Sequence, residues 1–403
     1  MIIGVPSETA ENETRAALVP PAAEKLIDQG FEVLVSAGIG EDSGWSDESY
    51  RDVGCEVIVD RASIFERSDV IFHVQGLGAT DDPDLDAYTE GQIVIGLLGP
   101  YDNTDELEEL ADRGVTAFAL ELIPRISRAQ SMDALSSMAS IGGYKATVMA
   151  ANALPKMLPM QMTAAGTVKP AEMFVVGAGV AGLQAIATGE RLGASVRAYD
   201  IRPEVKEEVE SLGAEFVEFE LDTEDDVSDE QGRAQEQDEE FYDKQRQMMT
   251  RVVAESDIVI TTAAIPGRPS PELVTTEMIE GMDSGSVIVD LAAEGGGNCE
   301  PTQADEVVDH EGVTIFGPTN LPGTVTKHAS QLYANNVTNF FQNLLEDDWI
   351  TIDTSDEIVD STMLTHEGVV RHPHEDDEDT DDEETDGGDT DDSTDDETGD
   401  NDD

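Results

Sequence analysis

The sequence predicts an α/β protein of two doubly wound parallel-sheet domains, joined by long helices and followed by a disordered acidic tail. Three observations carry this reading. Short apolar runs alternate with helix-like segments through the first third of the chain, the same alternation restarts near residue 173, and beyond His374 the chain is low-complexity Asp, Glu, Thr and Gly. Strands alternating with helices at this spacing argue for parallel sheets covered by helices on both faces.

In the first series, residues 2–5 form a short apolar run and 20–29 a helix ended by Gly30. Residues 31–36, 56–59, 70–74 and 93–98 read as strands, 105–113 as a helix and 116–120 as a further strand. Residues 133–157 are rich in Ala, Ser and Met without a strand pattern, and read as a long linking helix. In the second series, 173–176 is a strand, 182–192 a helix, 195–198 a strand and 205–212 a helix. The strands 257–261, 287–291 and 313–316 follow. Residues 328–345 are amphipathic and are expected to cross back onto the first domain. The expected division is therefore 1–135 with 328–372, then 136–327, then the tail 373–403. The polar stretch 221–244 is either a mobile functional loop or a salt-adapted insertion. A loop this long inside a compact domain favours the former. The tail cannot bury enough apolar surface to order itself.

Charge excludes several function classes. Of 403 residues, 89 are acidic and 22 are Lys or Arg, a net charge of −67. Residues 375–403 hold 19 of the acids and no Lys or Arg, so the rest of the chain still carries −48. No basic patch exists to hold nucleic acid or anionic lipid. A folded domain this acidic repels itself in dilute salt, and concentrated salt screens that repulsion. We read this as the cytosol of a salt-accumulating organism rather than as ordinary acidity. Two cysteines, Cys55 and Cys299, make no disulfide framework, and a reducing compartment is expected. No apolar run approaches the ~20 residues of a spanning helix, and the N-terminus lacks signal-peptide features.

Residues 177–182 read Gly-Ala-Gly-Val-Ala-Gly, after a strand and opening a helix. In that context the dinucleotide-binding (Rossmann) fingerprint has a mechanism. Gly177 allows the tight turn, Gly179 lets the backbone approach a pyrophosphate, and Gly182 allows close helix–strand packing. The helix start supplies unpaired N–H groups to the phosphates. Asp200, 21 residues past Gly179, stands where an acid binds the adenosine ribose hydroxyls and repels a 2′-phosphate. This favours NAD(H), although Arg202 close by is a residue type that accepts a 2′-phosphate. Residues 262–267 and 292–297 follow strand ends and are candidate walls for the nicotinamide half. The glycine run 295–297 also fits a plain flexible turn.

The run Arg-Ile-Ser-Arg-Ala-Gln-Ser-Met-Asp at 125–133, with Ser136 and Ser137 after it, is the most unusual segment. By composition it is a polar loop and helix cap, with Asp133 or Ser131 as N-cap. Together with Met-Thr-Ala-Ala-Gly-Thr-Val at 162–168, and with 177–188, 260–267 and 286–298, it resembles the NAD(H)-binding component of proton-translocating nicotinamide nucleotide transhydrogenases. The resemblance runs from residue 1 to about residue 372. It implies that Arg125, Gln130, Asp133 and Ser136 contact the nicotinamide end as the catalytic group, beside Ile126, Ser127, Ser131 and Met132. It places Val180, Asp200, Ile201 and Arg202 on the adenosine side, with Gly232, Gln245 and Ala264 completing the site. Residues 221–244 match the family's mobile loop, where Arg233 stands in place of a Tyr. The resemblance also implies NADP(H) on a partner subunit and membrane-spanning partners that carry the proton path. It further implies a homodimer, held peripherally on the cytoplasmic face of the membrane.

The rival resemblance is to alanine dehydrogenase, an NAD-dependent oxidoreductase that shares the Arg15 region. That chemistry needs a Lys and a His, and the matching positions here are Gln75 and Gly99, which cannot titrate. Transfer between two nicotinamides needs no proton donor, whereas imine chemistry does. A non-enzyme alternative is an NAD-sensing scaffold. No metal site is expected, since of the six His only His372 and His374 are close together, beside the acidic tail.

Overall fold

The computed structural model describes residues 1–77, 84–101, 103–218, 246, 249–265, 267–346 and 349–371. Gly232, Arg233, Gln245, the stretch 221–244 and the tail 373–403 lie outside these residues.

The first series contains β1 (Ile2–Val5), α1 (Pro20–Asp28), β2 (Glu32–Ser36), α2 (Asp47–Asp52), β3 (Glu56–Ile58) and α3 (Arg61–Arg67). It continues with β4 (Val70–Gln75), β5 (Ile93–Leu97), α4 (Thr104–Asp112) and β6 (Thr116–Ala119). Helix α5 (Ala134–Ala153) and a hairpin of β7 (Gln161–Thr163) and β8 (Gly166–Val168) lead to the second series. That series comprises β9 (Glu172–Val176), α6 (Val180–Leu192), β10 (Ser195–Tyr199), α7 (Lys206–Ser211) and β11 (Glu215–Phe216). After it come β12 (Ile258–Thr261), α8 (Thr276–Glu280), β13 (Val287–Asp290), β14 (Val307–His310) and β15 (Val313–Phe316). The chain returns through α9 (Thr326–Asn343), the hairpin β16 (Leu345–Glu346) and β17 (Trp349–Ile350), α10 (Glu357–Thr362), β18 (Met363–His366) and β19 (Val369–Val370).

One sheet runs β19-β18-β6-β5-β4-β1-β2-β3 and the other β11-β10-β9-β12-β13-β15-β14. In each, the chain builds outward from a central strand to one side and then to the other. Each sheet therefore has a switch point, between β1 and β4 and between β9 and β12. Crevices outside the carboxyl ends of strands at such points are where ligands bind in open α/β sheets.

Neither sheet is wholly parallel. β14 is antiparallel to β15, and β18 is antiparallel to β6 and β19. The hairpin turns explain two of these reversals. Glu311 and Gly312, like Glu367 and Gly368, have positive φ, the primed-turn backbone that joins antiparallel strands through two residues. A Glu-Gly pair carries a weaker turn signal than Asn-Gly, so the sequence did not announce them. Helix ends also differ slightly from expectation. The linking helix stops at Ala153, because Pro155 biases the preceding residue away from helix. The helix after the Gly-rich turn starts two residues early, at Val180.

α9 belongs to the core of the first sheet. Its Phe341 packs edge-on against Phe31 and Phe72 at centroid distances of 5.2 and 5.6 Å, and Phe340 against Phe118 at 5.4 Å. The buried Tyr333 hydroxyl donates to the His73 carbonyl at 2.6 Å. α5 serves both sheets. Its Ala134, Met138 and Ile141 sit in the first core, and Ala146 and Ala150 in a core of the second. Twenty residues make a rod of roughly 30 Å, long enough to bridge the two.

Candidate functional site

The turn from β9 into α6 has the geometry its glycines predict. Gly177 has φ +94°, and a Cβ there would lie 2.4 Å from Thr262 Oγ1. A Cβ on Gly182 would lie 1.8 Å from the Gly177 carbonyl oxygen, so helix and strand touch through backbone. Around Gly179 nothing lies within 4 Å of the Cβ position, which leaves the helix start open. Leu183 N donates to Gly179 O at 2.8 Å. The amides before Leu183 are those a helix start leaves without intrahelical partners. Gly193 closes α6 in the left-handed conformation, φ +88°.

At the end of β10, Asp200 is buried and fully engaged. Its Oδ2 accepts from Ala178 N at 2.6 Å, which ties it to the glycine turn. Its Oδ1 accepts from Arg202 N at 2.9 Å and Nε at 3.0 Å, while Arg202 Nη2 donates to Oδ2 at 3.1 Å. The guanidinium thus lies on the carboxylate. Ile201, between them, is half-buried.

The two neighbouring turns are locked. Thr262 Oγ1 donates to the Gly177 carbonyl at 3.1 Å. Asn298, fully buried, accepts from Ala263 N at 2.9 Å and donates to Ala263 O at 2.7 Å and Pro271 O at 2.8 Å. Asp290, also fully buried, accepts from Thr261 Oγ1, Ala292 N, Cys299 N and Thr302 Oγ1 at 2.8–3.0 Å. Within the glycine run, Gly295 N and Gly297 N donate to the Ala292 carbonyl at 3.1 and 3.0 Å, which folds it as a hydrogen-bonded turn. Ala264 is exposed beside this frame. Sequence reasoning placed Thr262 in a candidate wall but gave no role to Asp290 or Asn298. Polar residues at or just past strand ends were the available signal.

The 125–136 loop sorts into anchors and an exposed set. Ile126 and Met132 pack into the first core. Arg128 donates to both Asp356 oxygens at 2.7 and 2.8 Å and to Asn343 at 3.2 Å. The Ser131 carbonyl accepts from Asn336 at 3.1 Å and Asn339 at 3.0 Å. Asp133 caps α5, accepting from Ser136 N at 2.7 Å and Ser136 Oγ at 2.5 Å. Arg125, Ser127, Gln130 and the Ser131 side chain remain on the surface. The loop is held from behind by α9 and α10 while it presents these polar groups. The other characteristic run, 162–168, forms the exposed β7–β8 hairpin, remote in character from a binding turn.

The first sheet's crevice is organised otherwise. Glu8, its side chain 3% exposed, accepts from Val74 N at 2.8 Å and Gln75 N at 3.0 Å. Glu121 Oε1 accepts from Leu98 N at 2.7 Å and Gly99 N at 2.6 Å. Burial pushes the Glu121 carboxyl up to about 7, against the pull of those backbone donors. Arg15 is buried against Glu13, which accepts from its Nε at 2.8 Å and Nη2 at 2.5 Å. The Arg15 guanidinium is thus already paired, and the strand-end amides at Gln75 and Gly99 are capped by the protein's own acids. Among the described residues, no group of three or more His, Cys, Asp or Glu is placed to hold a metal. No helix among them is long and apolar enough to cross a membrane.

Two family models match the chain: "Alanine dehydrogenase/PNT, N-terminal domain" over residues 4–142 and "Alanine dehydrogenase/PNT, C-terminal domain" over 146–373. The chain is 42% identical over 376 residues to the NAD(P) transhydrogenase subunit alpha of Cereibacter sphaeroides, covering 93% of this chain and 71% of that one. The solved transhydrogenase from Sinorhizobium meliloti matches at 42% identity with a TM-score of 0.80, over 93% of this chain and 99% of that one. Alanine dehydrogenase of Bacillus subtilis is more distant, at 28% identity over 84% of each chain. The paired sheets, the glycine turn and these matches agree that the chain belongs to the alanine dehydrogenase/PNT family.

Proposed function

We propose that the chain is the NAD(H)-binding alpha subunit of a proton-translocating NAD(P) transhydrogenase. In this reading the second sheet holds NAD(H), and a partner subunit holds NADP(H). The observation that carries the choice within the family is the first crevice. Amino-acid oxidation needs a free cation for the substrate carboxylate and a titrating acid–base group. Arg15 is bound by Glu13, and Gln75 and Gly99 supply neither. Glu8 and Glu121 also take the strand-end amides that could otherwise receive an incoming carboxylate.

The second crevice fits a dinucleotide. The open space at Gly179 and the start of α6 suit a pyrophosphate. Asp200 suits the adenosine ribose once Arg202 shifts, with Val180 and Ile201 flanking it. When bound, NAD(H) supplies or accepts the hydride at its nicotinamide ring. Arg125, Gln130, Asp133 and Ser136 orient that ring and exclude water, and Ala264 closes the opposite wall. Ile126, Ser127, Ser131 and Met132 shape the same loop. Catalysis rests on positioning rather than on proton transfer. Membrane-spanning partners carry the proton path and hold this chain on the cytoplasmic face. We assign residues 1–135 with 328–372 to one domain and 136–327 to the nucleotide-binding domain. A homodimer is part of this reading. It is supported by the exposed apolar side chains at and beside the hairpin, Met160 at 59% and Met162 at 75% exposure. The acidic surface marks adaptation to high salt, so circular dichroism in dilute buffer should show unfolding, and a fold stable there would refute the adaptation.

The test is a mixture of this chain with its NADP(H)-binding partner. NADH should reduce an NADP⁺ analogue, and Gln130→Asn should slow that step more than it weakens NADH binding. The chain alone should not reduce pyruvate with NADH and ammonia at any pH. Measured alanine dehydrogenase activity, or an unchanged rate in Gln130→Asn, would overturn the assignment.

A further inference from the structure

α5 and α6 cross at backbone contact, and one residue makes that possible. A Cβ on Gly143 would lie 2.0 Å from the Ala181 carbonyl oxygen, 2.8 Å from its carbon and 3.1 Å from its Cα. These are backbone atoms in the first turn of α6, the turn in which the glycine motif ends. One turn further along α5, the buried Thr147 hydroxyl donates to Gly143 O at 3.1 Å and to Ala185 O of α6 at 3.2 Å. The neighbouring Gly142 is buried on the same helix, yet nothing lies within 4 Å of its Cβ position.

We propose that Gly143 is a positioning residue that sets the distance between the 125–136 loop and the dinucleotide turn. This inference rests on the transhydrogenase reading above. The loop is fixed to the start of α5 by the Asp133 cap, ten residues or roughly 15 Å before Gly143. The turn is fixed to the start of α6 by the Gly182–Gly177 contact. The crossing is thus a direct mechanical link between the two halves of the site. Any side chain at 143 must part the helices by at least about 1 Å, because non-bonded carbon does not approach oxygen at 2.0 Å. A shift of ~1 Å in a reacting geometry costs on the order of 100-fold in rate. NADH affinity, carried by the turn and Asp200 on the α6 side, should change much less.

Gly143→Ala and Gly142→Ala make a matched pair in the full chain. With the NADP(H)-binding partner, Gly143→Ala should slow hydride transfer on the order of 100-fold while NADH affinity changes less than about tenfold. Gly142→Ala should leave both as in the wild type. Hydrogen exchange of the chain alone, without nucleotide or partner, gives a second readout. Amides in 125–136 and in 177–183 should exchange faster in Gly143→Ala and not in Gly142→Ala. A wild-type rate in Gly143→Ala, equal losses in both variants, or exchange changes confined to 134–153 would overturn the proposal. If Gly143→Ala does not fold, Thr147→Val tests the same crossing. It should quicken exchange in those two segments, and unchanged exchange would overturn the proposal. A wild type that transfers no hydride refutes the transhydrogenase reading instead, and the exchange comparison still decides the role of Gly143.

Discussion

The two sheets share a doubly wound order in their central strands and use their switch points in opposite ways. At the β1/β4 crevice, the strand-end amides of β4 and β5 are taken by Glu8 and Glu121, and Arg15 is taken by Glu13. At the β9/β12 crevice, glycines leave the helix start open, and the buried acids Asp200 and Asp290 brace turns around the opening. A doubly wound sheet therefore offers a crevice, and side chains decide whether it receives a ligand or is closed by the protein itself. In the first sheet the carboxylates replace a ligand, and in the second they frame one.

The sharpest way to break this contrast is to close the open crevice. Gly182→Ala puts a Cβ 1.8 Å from the Gly177 carbonyl oxygen and must distort the turn. Loss of charge-assisted hydrogen bonds to the pyrophosphate, about 3 kcal/mol, should lower NADH affinity on the order of 100-fold. Fluorescence titration of a variant shown to be folded by circular dichroism measures this. Wild-type affinity would mean that the glycine turn holds no dinucleotide. The reciprocal change opens the closed crevice. Glu8→Ala leaves Val74 N and Gln75 N without their acceptor, at a cost of roughly 2–3 kcal/mol in folding stability. Urea unfolding should show that loss, with NADH affinity per folded molecule unchanged. An unmoved midpoint would show that Glu8 does not close the crevice.

How much of this was readable beforehand follows the range of the interactions. The parallel series, the linking helix and the glycine turn are set by local periodicity and glycine placement, and each stands close to where the sequence put it. The 125–133 run was legible as a helix cap, and Asp133 is that cap. Its division into anchors and exposed groups was not. Arg128 meets Asp356 across 228 residues, and Asn336 meets Ser131 across 205. Glu8 was equally hidden, since only the fold brings it to the end of β4, 66 residues away. Gly143 looked like one more small residue in an Ala-rich helix, and only the crossing with α6 gives it meaning.

Asp200→Ala probes the frame of the open crevice with a smaller effect. It removes the acceptor for ribose hydroxyls and releases Arg202, whose guanidinium now lies on that carboxylate. Loss of one charge-assisted hydrogen bond weakens NADH, and the released cation favours a 2′-phosphate. The preference for NADH over NADPH should therefore narrow about tenfold, equivalent to ~1.4 kcal/mol. Parallel titrations of the two nucleotides measure it. An unchanged ratio would show that Asp200 does not select the dinucleotide.

The smallest expected effect belongs to Glu121 and appears only as a dependence on pH. Burial raises its carboxyl to about 7 in the fold, while in the unfolded chain it titrates near ~4.3. The folded state thus holds the proton more tightly than the unfolded state. The resulting stabilisation is complete below pH ~4.3 and is lost as pH rises through about 7. Glu121→Gln keeps an oxygen for the Leu98 and Gly99 amides and never ionises. Its stability should therefore lack this decline. Relative to the wild type, it should gain roughly 1–2 kcal/mol between pH 5 and pH 8, with water reaching the half-buried residue limiting the gain. Melting both proteins across that interval in concentrated salt measures the difference in slope. Parallel curves would mean that Glu121 is ionised in the fold throughout, and that the first crevice is closed by a charge rather than by a proton-bearing acid.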